Sequence, residues 1–256
     1  MKHWKPAVIA ALWSGALYAA PMPVVASFSI LGDVAQQIGG ERVAVQSLVG
    51  ANQDAHAYNL TSSDIKKIRE ARLVLLNGLG LEKAELQRAV KQSKVASAEA
   101  TAGIKPLAAD EHHHEHNHGH DHDHGEFDPH VWNDPVLMQR YAANVAIALI
   151  KADPAGSRYY QQRFKDYQNV LNQLNNYANR QFGAVAPAKR KVLTGHDSFA
   201  YLGKRYQVKF ISPQGVSSEA EPSARQITAI IRQIKAENVK AVFTENIKDG
   251  RMIARP

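Results

Sequence analysis

The run "YQQRFKDYQNVLNQLNNYA", Tyr160 to Ala178, carries a single apolar stripe. Tyr160, Phe164, Tyr167, Leu171, Leu174 and Ala178 follow one another at steps of 4, 3, 4, 3 and 4, which is the period of one helix face. The spacing predicts a helix over residues 155–182, starting after a break at "ADP". That is long for a connection inside an α/β layer, where helices average about three turns. Two readings fit it: a partner helix in a coiled coil, or a spine on which two lobes pack. The second is preferred, because the flanking sequence is α/β on both sides.

Upstream, "MPVVASFS" reads as a strand, Ile30 to Gly39 as a helix and "RVAVQSLVG" as a strand. "TSSDIKKIREA" opens with hydroxyl residues that can cap a helix. "RLVLLNGLG" is a continuous apolar run, as expected of a strand buried on both faces of a parallel sheet, and "LEKAELQRAVKQS" is helical. A segment from Thr101 to Phe127 has no apolar period and reads as an exposed, flexible loop. A helix then runs from Pro135 to Lys151. Downstream of the long helix the alternation resumes. "KRKVLTG" is a strand, "DSFAYLGKRY" a helix, "VKFISPQ" a strand, "PSARQITAIIRQIKAEN" a helix and "VKAVFTEN" a strand. Alternation of this kind predicts an α/β fold with two parallel-sheet lobes joined by the long helix. The expected divisions are 1–20, 21–134, 135–184 and 185–256. "DGRMIARP" resembles a helix start, so the second lobe is expected to be truncated at its C-terminal end.

Residues 1–20 read as a cleavable signal peptide, with Lys2 and Lys5 before the apolar "AVIAALWSGALYAA". The sequence contains no cysteine, which excludes disulfides and thiolate metal sites. It also argues against a lipid-anchored N-terminal cysteine, so a freely diffusing periplasmic protein is expected. The net charge of +7 falls to about +5 without the signal, and no basic stripe with interleaved aromatics supports nucleic-acid binding.

Histidine is the unusual residue. Of 12 in the chain, eight crowd into "EHHHEHNHGHDHDHG", residues 111–125: His112, His113, His114, His116, His118, His120, His122 and His124. Outside the tract, His56 follows the second strand, His130 precedes a helix and His196 sits at a strand-to-helix turn. Loops after the carboxyl ends of strands are where open α/β sheets build ligand sites. A loop histidine is nevertheless more often a plain surface residue, and separations of 74 and 66 residues form no local motif.

Three segments change that weighting. "DAHAYNLTSSDIKKIREARLVLLNGLGLE", "DPHVWNDP" and "VLTGHDSFAYLGKRY" resemble, in this order, the metal-ligand segments of the substrate-binding proteins of bacterial ABC importers for zinc and manganese. A histidine-rich insertion before "DPHVW" is typical of the zinc members. The resemblance covers the chain after the signal. It implies metal held in the cleft between the lobes by His56, His130 and His196, with an inner-membrane ABC permease as partner. It also implies no catalysis, and an accessory periplasmic zinc-binding protein as a further partner of what is expected to be a monomer. Manganese members usually carry glutamate at the third position, whereas three neutral imidazoles suit zinc. The resemblance implies a fourth ligand that is an aspartate near the C-terminus, expected beyond residue 256 if the sequence is truncated, or a glutamate just before the first histidine, where this sequence has Ala55; within the sequence, water, Glu245, Asp54 and a tract histidine are the alternatives. The tract reads as an auxiliary, low-affinity antenna. A three-histidine zinc hydrolase and a zinc buffer or adhesin are the competing functions. Asp54, Asp128 and Asp197 each lie within two residues of one of these histidines. Turn formation or helix capping is their expected role, with a hydrogen bond to the ring as the alternative.

Overall fold

The computed structural model describes residues 20–109, 127–218, 223–239 and 241–247. The signal peptide (but for residue 20), the whole histidine tract and "DGRMIARP" therefore lie outside the described residues.

The first sheet holds β1 (Met22–Phe28), β2 (Val43–Val49), β3 (Leu73–Leu76) and β4 (Ala96–Glu99), all parallel, in the order β2-β1-β3-β4. Alternation assigns its faces. Val24, Ala26, Phe28, Leu73 and Leu75 join one core with α1 (Ser29–Gly39), α4 (Pro135–Ala152) and the first half of α5 (Ser157–Gly183). Val25, Val74 and Leu76 join the other, against α2 (Ser62–Glu70) and α3 (Ala84–Ser93). All four residues of β3 are buried, as its unbroken apolar run requires. β4 escapes a reading of the sequence because "ASAE" is short, polar at two positions and mostly exposed. The Thr101–Phe127 segment is less open at its ends than expected. Thr101 and Ile104 are buried, and Ala108 pairs with Phe127 in an antiparallel bridge.

The second sheet holds β5 (Lys191–Leu193), β6 (Lys209–Ile211) and β7 (Ala241–Val242), parallel, in the order β6-β5-β7. α6 (Ala200–Tyr206) links β5 to β6, and α7 (Ala224–Glu237) links β6 to β7. α7 carries a capping box between Ser223 and Gln226, yet none of its side chains is buried. Ile227, Ile231, Val242 and Phe243 are exposed on this side.

α5 runs between the two cores. Tyr160 and Leu171 are buried in the first, and Ala178 is buried with Val192, Tyr206 and Val208 in the second, where Phe182 stacks on Tyr206 at 5.1 Å. Leu174 is 48% exposed, because it falls where the helix leaves one core before reaching the other. The predicted stripe is thus two short stripes on one helix. Among the described residues no helix is long and apolar enough to cross a membrane.

Candidate metal centre

Each of the three histidines is delivered by a loop at the carboxyl end of a strand or just ahead of a helix. The loop from β2 to α2 carries His56. Gln53 Oε1 accepts from Gly50 N–H at 2.8 Å and Asp54 Oδ1 from the His56 N–H at 3.0 Å, so side chains take over the backbone donors of this turn. Its far end is fixed by a capping box: Thr61 accepts from Asp64 N–H, and the Asp64 carboxylate accepts from Thr61 N–H at 3.0 Å. The Tyr58 hydroxyl adds a 2.5 Å bond to that carboxylate. Burial raises the Asp64 carboxyl, but the bonds from Thr61, Tyr58 and Lys67 outweigh it and hold the pKa at about 2.

His130 lies in "DPHVWNDP", ahead of α4. Asp134 caps α4 by accepting from Val136 N–H at 2.8 Å, with Pro135 at the first helical position. Asp128 Oδ1 accepts from the His130 backbone N–H at 2.9 Å and meets His130 Nδ1 at 2.7 Å. The turn role and the ring role, set against each other in the sequence, are both filled by one oxygen. Buried Asn77 secures the preceding peptide. Its amide donates to Pro129 O at 3.1 Å and its oxygen accepts from the Tyr141 hydroxyl at 3.0 Å. Asn77 is itself held by Glu82, whose carboxylate accepts from the backbone N–H groups of Asn77 and Gly78 and from the Ser27 hydroxyl. The tight turn needs Gly78 at φ +88°, where an added Cβ would meet Thr101 Oγ1 at 2.7 Å.

His196 follows β5. A bridge to Gln214 and the bond from Asp197 N–H to Gly215 O, 3.1 Å, pin its backbone to the chain after β6. Asp197 does not cap α6, which starts only at Ala200 with Phe199 at the cap position. Glu245, just beyond β7, places Oε2 2.5 Å from His196 Nδ1.

These loops bring the three imidazoles together. His130 Nε2 is 3.1 Å from His56 Nε2 and 3.4 Å from His196 Nε2. Among the described residues, this is the one group of three or more histidine or carboxylate side chains whose ligand atoms converge, all lying within 4.8 Å of one another. A carboxylate at Nδ1 accepts a hydrogen bond from the single N–H of the neutral ring, which leaves the Nε2 lone pair facing inward. Lone pairs facing each other at such distances repel unless a cation sits between them. Tetrahedral nitrogens at about 2.0–2.1 Å from a metal lie about 3.3 Å from one another. His130 is suited to this role: burial, reinforced by the charge of His196, pulls its pKa down to about 3, so protons do not compete for it near neutrality. Trp132 stands edge-on to His130 at 5.1 Å and tilted against Phe28 at 4.9 Å, forming an apolar wall. The centre opens into a cavity of about 350 Å³ lined by loops that follow strands of both sheets. The tract histidines fall outside the described residues, and no position relative to the cleft follows for them.

Two residues considered for a fourth ligand have other partners. Glu245 is on the outer nitrogen of His196, and Asp54 accepts from both His56 N–H and the Ser218 hydroxyl. Burial raises the Glu245 carboxyl, but the bond and charge of His196 more than offset this and its pKa is lowered.

Comparison with known proteins bears on this centre. Residues 24–255 match the family described as zinc-uptake complex component A, periplasmic. The chain belongs to this family. Relatives include the manganese-binding lipoprotein MntA of Bacillus subtilis, 31% identical over 88% of this chain and 71% of that protein. The manganese ABC transporter substrate-binding lipoprotein PsaA of Streptococcus anginosus is 29% identical over 90% of this chain and 74% of its own. Among solved structures, the periplasmic zinc-binding protein TroA of Treponema pallidum superposes with a TM-score of 0.82 at 26% identity, covering 91% of this chain and 81% of that one. A manganese-bound periplasmic metal-binding protein from Candidatus Liberibacter asiaticus gives 0.77 at 27% identity over 90% of this chain and 82% of that one. This member of the family is thus a periplasmic metal-binding component of an ABC metal importer, working with a membrane permease and its ATPase, and not an enzyme. Relatives named for manganese are called lipoproteins, whereas this 256-residue sequence has no cysteine.

Proposed function

We propose that this component captures zinc through His56, His130 and His196 and presents it to the permease. The observation that carries the reading is the meeting of three imidazole Nε2 atoms, two of them with Nδ1 against a carboxylate. Nitrogen donors in that number match zinc, a borderline ion, better than manganese, which prefers oxygen. The tract from His112 to His124 acts as a weak, multivalent antenna that raises zinc near the cleft. The lobes follow the divisions 21–134 and 185–256, with 135–184 bridging them. The protein acts as a monomer in the periplasm after removal of residues 1–20, and an accessory zinc-binding protein can load it.

Competition decides the metal. Zinc should displace manganese from the tight site at equimolar concentration, followed by calorimetry or by manganese electron resonance. Retention of manganese against an equivalent of zinc would overturn the assignment of the cargo and leave the site in place.

A further inference from the structure

α6 presents Tyr201 and Arg205, one turn apart, to the segment that carries His130. The Tyr201 hydroxyl donates to Asp128 O at 2.7 Å and accepts from Leu107 N–H at 3.0 Å. Tyr201 is 3% exposed, the bond to Asp128 is buried and the bond from Leu107 is half-buried. Arg205 grips both carboxylate oxygens of Asp134 at 3.0 and 2.9 Å, and Asn133 donates to Ser198 O at 2.7 Å. The residue whose carbonyl Tyr201 holds is the one whose carboxylate meets His130 Nδ1. The same helix follows directly on the His196 turn. His56 comes from another loop, joined to the same lobe by bonds of its own, Asp54 with Ser218 and Asn52 with Asn246.

We propose that Tyr201 is a positioning residue for metal capture, tying Asp128, and through it the His130 imidazole, to the lobe that carries His196. His130 and His196 then meet the metal as one preset pair, and His56 completes the site from a separately held loop. The hydroxyl has both a donor role and an acceptor role filled, so its direction is fixed. Phenylalanine would fill the same volume but leave a buried carbonyl and a half-buried N–H without this partner. With the bond to its carbonyl gone, Asp128 would hold the ring less firmly, and outer partners of a ligating histidine set its orientation.

The inference rests on the three histidines being the metal site, and the test separates the two. Cobalt is the probe, because its visible absorption reports ligand geometry. Four full-length chains are compared: the parent, Tyr201→Phe, Arg205→Met and His130→Ala. Tyr201→Phe should bind zinc roughly tenfold more weakly in chelator competition, lose it faster and shift the cobalt bands. Arg205→Met removes another staple of the same helix without touching Asp128. It should lower Tm and leave affinity and spectrum unchanged. Parental affinity and spectrum in Tyr201→Phe, with the signal lost in His130→Ala, would overturn the role of Tyr201 alone. A parental signal in His130→Ala would overturn the site assignment and the inference with it. Should Tyr201→Phe not fold, 3,5-difluorotyrosine placed at 201 keeps the fold while strengthening the donor. A change in zinc release rate of twofold or more then supports the role, and an unchanged rate refutes it.

Discussion

His130 and His196 are held differently from His56. The first two are buried, and each has a carboxylate against Nδ1. His56 is half-buried, and Asp54 braces it through its backbone N–H. The difference teaches that three ligands alike in kind need not contribute alike. A buried ring arrives with its place set by the packing around it, whereas a half-buried ring keeps more rotamer freedom to lose on binding.

Removing ligands should give the largest effect. His130→Ala and His196→Ala are each expected to weaken zinc binding by well over the roughly 10–100-fold typical of losing an outer partner. His56→Ala should weaken it less than either and leave a cobalt spectrum from the remaining pair. Equal losses at all three positions, measured by chelator competition, would erase the distinction.

Outer partners come next. Asp128→Asn and Glu245→Gln are each expected to cost about 10–100-fold in affinity. Asp54→Asn acts on the bonds from the His56 N–H and the Ser218 hydroxyl and should cost less than either. A larger loss at Asp54 would reverse the order and place that carboxylate on the metal.

Acid should act through His130 in the metal-free protein. Its folded pKa of about 3 lies below the roughly 6.5 of an unfolded histidine. Between those values the unfolded chain binds the extra proton, so this contribution to stability is full above about pH 6.5 and is lost as pH falls towards 3. Urea midpoints should fall across this window, and His130→Asn should flatten the slope. An unchanged slope would assign the acid sensitivity to other groups.

The smallest effect lies at the far end of the His56 loop. Thr61→Ala breaks the capping box of α2 and should lower stability by about 1 kcal/mol, with zinc affinity changed by less than the Asp54 variant changes it.

Much of this was legible before the structure. Alternating strands and helices, the unbroken "LVLL" and the stripe of α5 are periodic features, and periodicity survives in sequence because it reflects one face meeting one core. The resemblance to metal receptors picked out His56, His130 and His196, and the fold brings those three together. What was not legible depended on contacts between distant segments. Tyr201 reaches Asp128 across 73 positions, Glu245 reaches His196 across 49, and Ser218 reaches Asp54 across 164. Each is an ordinary residue type in its own segment, and nothing local marks it. Leu174 fits the helical period as well as Leu171 does, yet one is exposed and the other buried, because the period does not record where one core stops.

On the proposed reading the cleft histidines hold the tight metal and the tract does not. Stoichiometric zinc titration of two full-length variants tests it: His56, His130 and His196 all changed to alanine in one, and residues 111–125 deleted in the other. The deletion should keep one tight equivalent and lose the weak ones, while the triple change should lose the tight equivalent and keep the weak. A tight equivalent that survives the triple change, or vanishes with the tract, would contradict this division of roles.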